Sequence, residues 1–252
     1  MIIYDTHFHL DPEDNPEEII SRARQAGVSL LNLISCDIND TIRNVKIAEE
    51  HGIYTTAGVH PLHVDDFDGD FSKFFPFYAH ERVVGVGEIG LDYHYQKEKK
   101  HLEYQQEVFS QFLKFSAQTL KPAIIHCREA FEDCYALIKE HLNADQPFII
   151  HCYTGDQNWA AKFVELGGYI SFSGIVTFKN AADIRDSIKT IPPERILVET
   201  DSPYLSPVPF RGKRNEPARV VHVLERVAFE LGITQEEAAE LTVANGKKVF
   251  GL

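Results

Sequence analysis

The sequence predicts an α/β protein of the (β/α)₈ TIM-barrel class, and three observations support this fold class. Short apolar, β-branched runs alternate with amphipathic stretches of helical period, which is typical of βαβ units around a parallel sheet. Eight such rounds occur in 252 residues, and about 250 residues is the usual size of this barrel. The runs also turn polar at their carboxyl ends, where barrels place their active sites. An open doubly wound sheet is the alternative, but no GxGxxG sequence follows the first run to support a dinucleotide-binding fold.

The predicted strands are nearly continuous hydrophobic runs, as expected for parallel strands that are covered on both faces. In chain order they span residues 2–9, 28–36, 53–60, 83–90, 123–127, 148–152, 168–174 and 195–201. Helical patterns lie between them at residues 16–25, 101–119, 131–141 and 159–166, and a helical pair follows the last strand.

Composition restricts the class of protein. With 44% hydrophobic and 25% charged residues, the chain is neither disordered nor a coiled coil. No Gly/Ser-rich or Pro-rich linker divides it, so we expect residues 1–252 to form one domain. No apolar run approaches the ~20 residues of a membrane span, and the start lacks the pattern of a secretion signal. Four cysteines without a CxxC pair favour the cytoplasm.

Polar residues of a few types occur where the predicted strands end. They are His7, His9, His60, Glu88, His126, His151 and Asp201. In a barrel these ends share one mouth, so residues far apart in sequence converge there.

The four histidines of the first, fifth and sixth predicted strands form two pairs. His7 and His9 are two residues apart on a strand, so their side chains lie on the same face and both imidazoles can bind one ion. His126 and His151 occupy equivalent positions in KPAIIHCRE and QPFIIHCYT, which predicts neighbouring strands ~4.8 Å apart. The alternative for each is a hydrogen-bonded core histidine.

Glu88 and Asp201 are the predicted catalytic carboxylates. Each follows a hydrophobic run, where an uncompensated charge is costly. A metal cation would compensate Glu88, and an ion pair with an arginine is the alternative. Asp201 is the natural partner of a metal-bound water, as ligand, general base or both.

Four histidines and two carboxylates exceed the three protein ligands of a typical catalytic zinc ion, so the residues predict two divalent metal ions. The mixed nitrogen and oxygen ligands suit zinc, manganese, nickel or iron better than an all-oxygen magnesium site. The sequence does not distinguish among these five metals.

At this point the chain resembles a known family, the TatD-type metal-dependent deoxyribonucleases of the amidohydrolase superfamily. The match spans essentially the whole chain and rests on DTHFHL, GVHP, GEIGLDYH, IIHCRE, IIHCYTG, ETDSPYL and RGKRNEP in that order. The resemblance implies one metal held by His7, His9, Glu88 and Asp201, and a second held by Glu88, His126 and His151. Relatives often place a histidine directly after the proline of GVHP; here Leu62 precedes His63, which leaves His63 unassigned.

A nuclease with a net charge of −13 must supply local positive charge to bind phosphate. Arg128 and Arg211 are the best candidates because guanidinium groups match phosphate oxygens bidentately. His60 and Ser202 are further candidate phosphate donors, with a structural role as the alternative. Lys213 and Arg214 are either phosphate contacts or part of a solvated basic loop.

The resulting hypothesis is a hydrolase that cleaves DNA at single-stranded ends, as a 3′–5′ exodeoxyribonuclease, through a water activated by two metals. We expect no membrane partner and infer no obligate protein partner. The alternative is hydrolysis of a small ester, lactone, amide or phosphotriester, which the acidic charge slightly favours. A non-catalytic metal-binding scaffold is the third reading, and it would require the loss of a ligand or of Asp201.

Overall fold

The computed structural model describes residues 1–95 and 97–252. These residues form two compact units. The first unit comprises Met1–Leu33, His151–Glu165 and Tyr169–Leu252, and the second comprises Ile34–Ile150 and Leu166–Gly168.

Eight strands alternate with helices along the chain, in the element order predicted for a (β/α)₈ barrel. The strands are β1 (Ile3–Phe8), β2 (Val28–Leu33), β3 (Tyr54–Ala57), β4 (Val83–Asp92), β5 (Ala123–Arg128), β6 (Phe148–Ile150), β7 (Tyr169–Phe172) and β8 (Ile196–Val198). The strand order of the sheet is the chain order, and the described pairings within each unit are parallel.

The helices are α1 (Pro16–Gln25), α2 (Ile38–His51), α3 (Phe75–Tyr78), α4 (Lys99–Thr119), α5 (Phe131–His141), α6 (Gln157–Glu165), α7 (Ala182–Thr190), α8 (Val220–Leu231) and α9 (Gln235–Phe250). The bounds predicted for α1 and α5 are confirmed to the residue. Side-chain caps fix several of the starts; for example, Asn15 accepts a hydrogen bond from the backbone of α1. Among the described residues, no helix has both the length and the apolar character needed to cross a bilayer.

In the first unit, the first strand lies beside the last, as barrel closure requires. The Thr6 hydroxyl donates to the carbonyl of Val198 at 3.0 Å. Beyond the strand ends, the Asp201 N–H donates to the His7 carbonyl at 2.9 Å and the His9 N–H donates to the Ser202 carbonyl at 2.7 Å. The backbone after β8 is therefore held against the end of β1.

Strand bounds differ from the prediction at five of the seven polar residues. β1 ends at Phe8 and β6 at Ile150, so His9 and His151 lie just beyond the ends of these strands. β4 continues to Asp92 because its pairing with β5 extends to Arg128, so Glu88 lies inside a strand and not at its end. β3 ends at Ala57 and β8 at Val198, which places His60 and Asp201 on the loops that follow these strands.

The segment between β3 and β4 does not form the long helix that a regular repeat would contain. It consists of short 3₁₀ turns and the four-residue α3. Pro61 begins the first of these turns, and Gly69, with a φ of 78°, separates the first from the second. Phenylalanine side chains cover this side of the second unit. Phe71 and Phe74 pack edge-on against Phe112 of α4, at centroid distances of 5.3 and 5.2 Å.

Candidate metal centres

His7, His9 and Asp201 bring three ligand atoms together in the first unit. The Nε2 atoms of the two histidines are 3.1 Å apart. Oδ1 of Asp201 lies 3.8 Å from Nε2 of His7 and 3.6 Å from Nε2 of His9. We call these three residues and His151 the β1–β8 cluster.

The donor set of the β1–β8 cluster fits a divalent metal ion. The separations of Nε2 of His7, Nε2 of His9 and Oδ1 of Asp201 leave a point that is about 2.0 Å from each of these three atoms. Bonds from zinc to histidine nitrogen and carboxylate oxygen are about 2.0–2.2 Å long. Two imidazoles and one carboxylate are also a common ligand set of catalytic zinc.

His151 joins this cluster through its ring. The ring stacks on that of His7, with centroids 3.9 Å apart and planes inclined by 7°. Its Nδ1 lies 3.3 Å from Oε1 of Glu199, which also accepts the Cys152 N–H at 2.6 Å. Glu199 is completely buried in the first unit. The carboxylate therefore fixes the orientation of the His151 ring.

Asp201 is held ionised by its surroundings. Burial alone would raise the pKa of its carboxyl, but the hydrogen bond with His9 and the nearby His151 and His7 outweigh burial and hold the pKa below its ordinary value. The residue adopts a φ of 53°, in the left-handed region, where aspartate is tolerated better than most side chains. An ionised carboxylate in a constrained loop conformation is suited to binding a metal or accepting a proton.

A second group of ligand-type side chains lies in the second unit and consists of His60, Glu88, Asp92 and His126, which we call the β4–β5 cluster. Oε1 of Glu88 is 3.0 Å from Nδ1 of His126 and 3.2 Å from Nε2 of His60. Glu88 is 2% exposed. Two ligand atoms that bind one ion at right angles, each about 2.1 Å from it, are about 3.0 Å apart, which is the separation of the His126 nitrogen and the Glu88 oxygen. This pair also fits a metal.

His60 differs from the other histidines in its hydrogen bonding. Its Nδ1 accepts the Leu62 N–H at 3.1 Å, so the neutral ring carries its proton on Nε2, the atom that lies near Glu88. Burial lowers the pKa of His60 to about 4, although Glu88 opposes this shift. His60 is thus a neutral hydrogen-bond donor at neutral pH, and its N–H lies against Glu88. The phosphate contact of His60 stays a prediction.

Sequence reasoning missed Asp92, which is completely buried and lies 3.0 Å from Nε2 of His126 through Oδ2. Burial alone would raise its pKa, but hydrogen bonds from His126 and from the Tyr95 and His94 N–H groups lower it to about 2. The signal was present in GEIGLDYH, since Asp92 is four residues beyond Glu88 and therefore on the same face of β4.

Asp5 is a second missed carboxyl, and it connects β1 to the segment that carries Asp201. Its oxygens accept the Thr200 N–H at 2.8 Å and the Thr200 hydroxyl at 2.6 Å. Asp5 is completely buried. Burial raises the pKa of Asp5 to about 8, although the Thr200 hydrogen bonds oppose this shift. The folded protein therefore keeps a proton on Asp5 at neutral pH.

Replacement of Asp5 with asparagine should remove one component of the pH dependence of stability. Between about pH 4 and about pH 8, unfolding of the metal-free wild type releases the Asp5 proton, so its free energy of unfolding falls as the pH rises. Relative to Asp5→Asn, wild-type stability should fall by about 1.4 kcal/mol per pH unit between about pH 5 and about pH 7. Urea denaturation of both chelator-treated proteins measures this difference, and parallel curves would contradict the prediction.

The predicted phosphate contacts occupy different environments. The Arg128 guanidinium lies over the Tyr95 ring at 4.7 Å, and that of Arg211 over the Phe178 ring at 3.8 Å. Ser202 is 2% exposed, next to Asp201. Arg214 instead pairs with Asp11 and Asp14 at 2.8 and 2.7 Å, so much of its charge is neutralised.

The element order and the two clusters define a class, the metal-dependent hydrolases built on (β/α)₈ barrels. Residues 4–251 match the family model described as TatD related DNase, and the chain belongs to this family. It is 39% identical to the uncharacterized metal-dependent hydrolase YabD of Bacillus subtilis, over 99% of both chains. It is 38% identical to the uncharacterized metal-dependent hydrolase YcfH of Escherichia coli, over 99% of this chain and 96% of that protein. The protein is a metal-dependent hydrolase.

Solved structures confirm the predicted fold class. The TatD homologue YjjV of Escherichia coli superimposes with a TM-score of 0.92 at 27% identity, over 99% of this chain and 98% of that one. A TatD family hydrolase of Entamoeba histolytica superimposes with a TM-score of 0.85 at 20% identity, over 99% and 98% of the two chains. The fold is the (β/α)₈ barrel.

Proposed function

We propose that the protein is a metal-dependent phosphodiesterase that hydrolyses DNA from single-stranded ends, as a 3′–5′ exodeoxyribonuclease. The observation that carries the proposal is the convergence of two imidazoles and an ionised carboxylate in the β1–β8 cluster at metal-ligand spacing. Membership of a family described as TatD related DNase supports DNA as the substrate. Residues 1–252 would act as one catalytic domain.

Each cluster would hold one divalent ion. His7, His9 and Asp201 supply the ligands in the β1–β8 cluster, and Glu88 and His126 supply them in the β4–β5 cluster. The sharing of Glu88 between both ions and the pairing of His151 with the second ion stay predictions. When bound, the ions supply charge neutralisation at the phosphate and lower the pKa of water; zinc, manganese, nickel, iron and magnesium are the metals to test.

Asp201 would accept the proton of the attacking water. The water oxygen adds to phosphorus, its proton passes to the ionised Asp201 carboxylate, and the bond between phosphorus and the 3′ oxygen of the preceding nucleotide breaks. The 3′ oxygen leaves with the bonding electrons and takes a proton from solvent water, and Asp201 releases its own proton to solvent. The Asp201 side chain is held in place for this transfer by its hydrogen bond with His9. The backbone N–H of Asp201 donates to the His7 carbonyl and fixes the main chain at this residue.

Four residues would bind the substrate phosphates. Arg128 and Arg211 supply positive charge against the net charge of −13, and Ser202 and the Nε2–H of His60 supply further donors. Because few phosphate contacts are involved, we expect modest affinity that weakens with salt. We also propose the cytoplasm as the location, because the sequence has four cysteines without a CxxC pair.

Metal removal and replacement test the proposal. Protein stripped with chelator should not cleave end-labelled single-stranded DNA, and adding back one of the five ions should restore cleavage. Products that shorten by one nucleotide at a time from the 3′ end would establish exonuclease action and its polarity.

A matched panel of uncharged esters, lactones, amides and a phosphotriester tests the rival substrate class with the same metal-loaded protein. Faster turnover of one of these than of DNA would overturn the nuclease proposal and favour the small-molecule hydrolase. No hydrolysis of DNA with any ion would also overturn it.

A further inference from the structure

The side-chain carboxylate of Asp92 is held by backbone N–H groups of the second unit and contacts the ring of His126. Its Oδ1 accepts the N–H groups of His94 and Tyr95 at 2.9 and 3.0 Å. Its own backbone N–H donates to the side chain of Gln105 at 2.9 Å, and Gln105 is completely buried. The remaining oxygen, Oδ2, faces Nε2 of His126 at 3.0 Å. Asp92 has little freedom to move away from the ring.

This contact determines which ring nitrogen of neutral His126 carries the proton. A neutral ring has one N–H, and the carboxylates of Asp92 and Glu88, which face its two nitrogens, can only accept. Oε1 of Glu88 already faces the Nε2–H of His60, whereas Oδ2 of Asp92 faces His126, so we place the His126 proton on Nε2. The other nitrogen, Nδ1, then has a lone pair, and it lies 3.0 Å from Oε1 of Glu88. Two acceptors at this distance repel each other unless a cation lies between them. A neutral His126 ring in this geometry is prepared to bind a metal ion through Nδ1.

In the first unit, Glu199 contacts His151 as Asp92 contacts His126, but through the other ring nitrogen, Nδ1 in place of Nε2. Nδ1 of His151 lies 3.3 Å from Oε1 of Glu199, and this oxygen is fixed by the Cys152 N–H. The contact keeps the proton on Nδ1 and the lone pair on Nε2. Among the described residues, Oε2 of Glu199 has no hydrogen-bond partner, so the His151 and Cys152 contacts are the ones that hold this buried carboxylate.

We propose that Asp92 and Glu199 are positioning residues that set the ring proton of His126 on Nε2 and that of His151 on Nδ1, so that each histidine presents its other nitrogen to a metal ion. This inference rests on the proposed metal-binding role of the two histidines. Hydrogen bonds of this kind raise ligand basicity and orient the ring, and their loss typically weakens metal affinity 10–100-fold.

The substitution Asp92→Asn tests the proposal with little change in shape. The asparagine Oδ1 can still accept the His94 and Tyr95 N–H groups, but its amide nitrogen now donates towards Nε2 of His126. The ring proton is thereby moved to Nδ1, where it blocks the metal. Affinity for Zn²⁺ and for Mn²⁺, measured by titration of chelator-treated protein, should fall about 10–100-fold at one of two sites.

Asp156→Asn is the matched control. Oδ1 of Asp156 accepts the N–H groups of Asn158 and Trp159, both at 3.0 Å, with the same spacing along the chain as the two acceptor contacts of Asp92. No histidine contact of Asp156 is described. The substitution therefore replaces a carboxylate that accepts two backbone N–H groups, as Asp92→Asn does, but it alters no contact with a histidine ring. Metal affinity should stay at the wild-type value.

A spectroscopic measurement gives a readout that does not depend on activity or on the folding of a variant. ¹⁵N NMR of metal-free wild type, at a pH where the rings are neutral, should show the His126 proton on Nε2 and the His151 proton on Nδ1. The opposite tautomers in wild type, or equal metal affinities of wild type and Asp92→Asn, would overturn this inference alone. A wild-type protein that binds none of the ions would overturn the proposed function as well.

Discussion

The Asp201→Asn variant should fold normally and cleave single-stranded DNA at least ~100-fold more slowly than wild type, on general acid–base magnitudes. Asparagine has nearly the shape of aspartate but neither the charge nor the basicity to take a proton from water. The surroundings of Asp201 hold its pKa low, so wild type has the ionised form over the whole neutral range. Rates at several metal concentrations, with far-UV circular dichroism to confirm folding, measure the effect.

The dependence on metal concentration separates the two roles of Asp201. A loss that persists at saturating metal indicates proton transfer, whereas a loss that saturating metal recovers indicates that the carboxylate acts mainly as a ligand. Asp156→Asn again serves as the control, because its carboxylate caps a turn in the same unit and should leave the rate unchanged. A wild-type rate in Asp201→Asn would remove this residue from the mechanism.

Gly90→Ala should lower the free energy of unfolding by at least ~3 kcal/mol, since two costs combine. Gly90 has a φ of 137°, a conformation that residues with a side chain rarely adopt. A Cβ at this position would lie 2.0 Å from the His126 carbonyl oxygen, and backbone cannot rotate out of the way as a side chain can. Relief of the overlap requires β4 and β5 to separate at the residue pair that carries His126.

Gly52→Ala isolates the cost of a positive φ. Gly52 ends α2 with a φ of 63°, and nothing lies within 4 Å of an added Cβ. Its alanine variant should lose only about 1 kcal/mol. Urea denaturation of the chelator-treated proteins compares the two without a contribution from metal binding. Equal losses in the two variants would show that the contact between β4 and β5 does not constrain Gly90.

The candidate histidine and carboxylate ligands could be proposed from the sequence because their signals are local. The two-residue spacing of His7 and His9, and the hydrophobic runs that end at His126 and His151, follow from strand periodicity and from the burial of parallel strands. The order of elements also follows from these periods. Glu88 was correctly assigned to β4, but its place inside the strand was not predicted, because a strand ends where its pairing with a neighbour ends.

What only the tertiary structure decided is which side chains contact and orient these candidate ligands. Asp92, Glu199 and Asp5 read as ordinary acidic residues in the sequence, and their contacts join segments 34, 48 and 195 residues apart. The proton positions on His60, His126 and His151 depend on which donor or acceptor meets each ring nitrogen, and that is a property of three-dimensional packing. The sequence by itself therefore determined the barrel and indicated the candidate ligand residues through short-range periodicity. Folding determined their protonation and orientation, because electrostatic energies depend on distances between atoms that are remote in the chain.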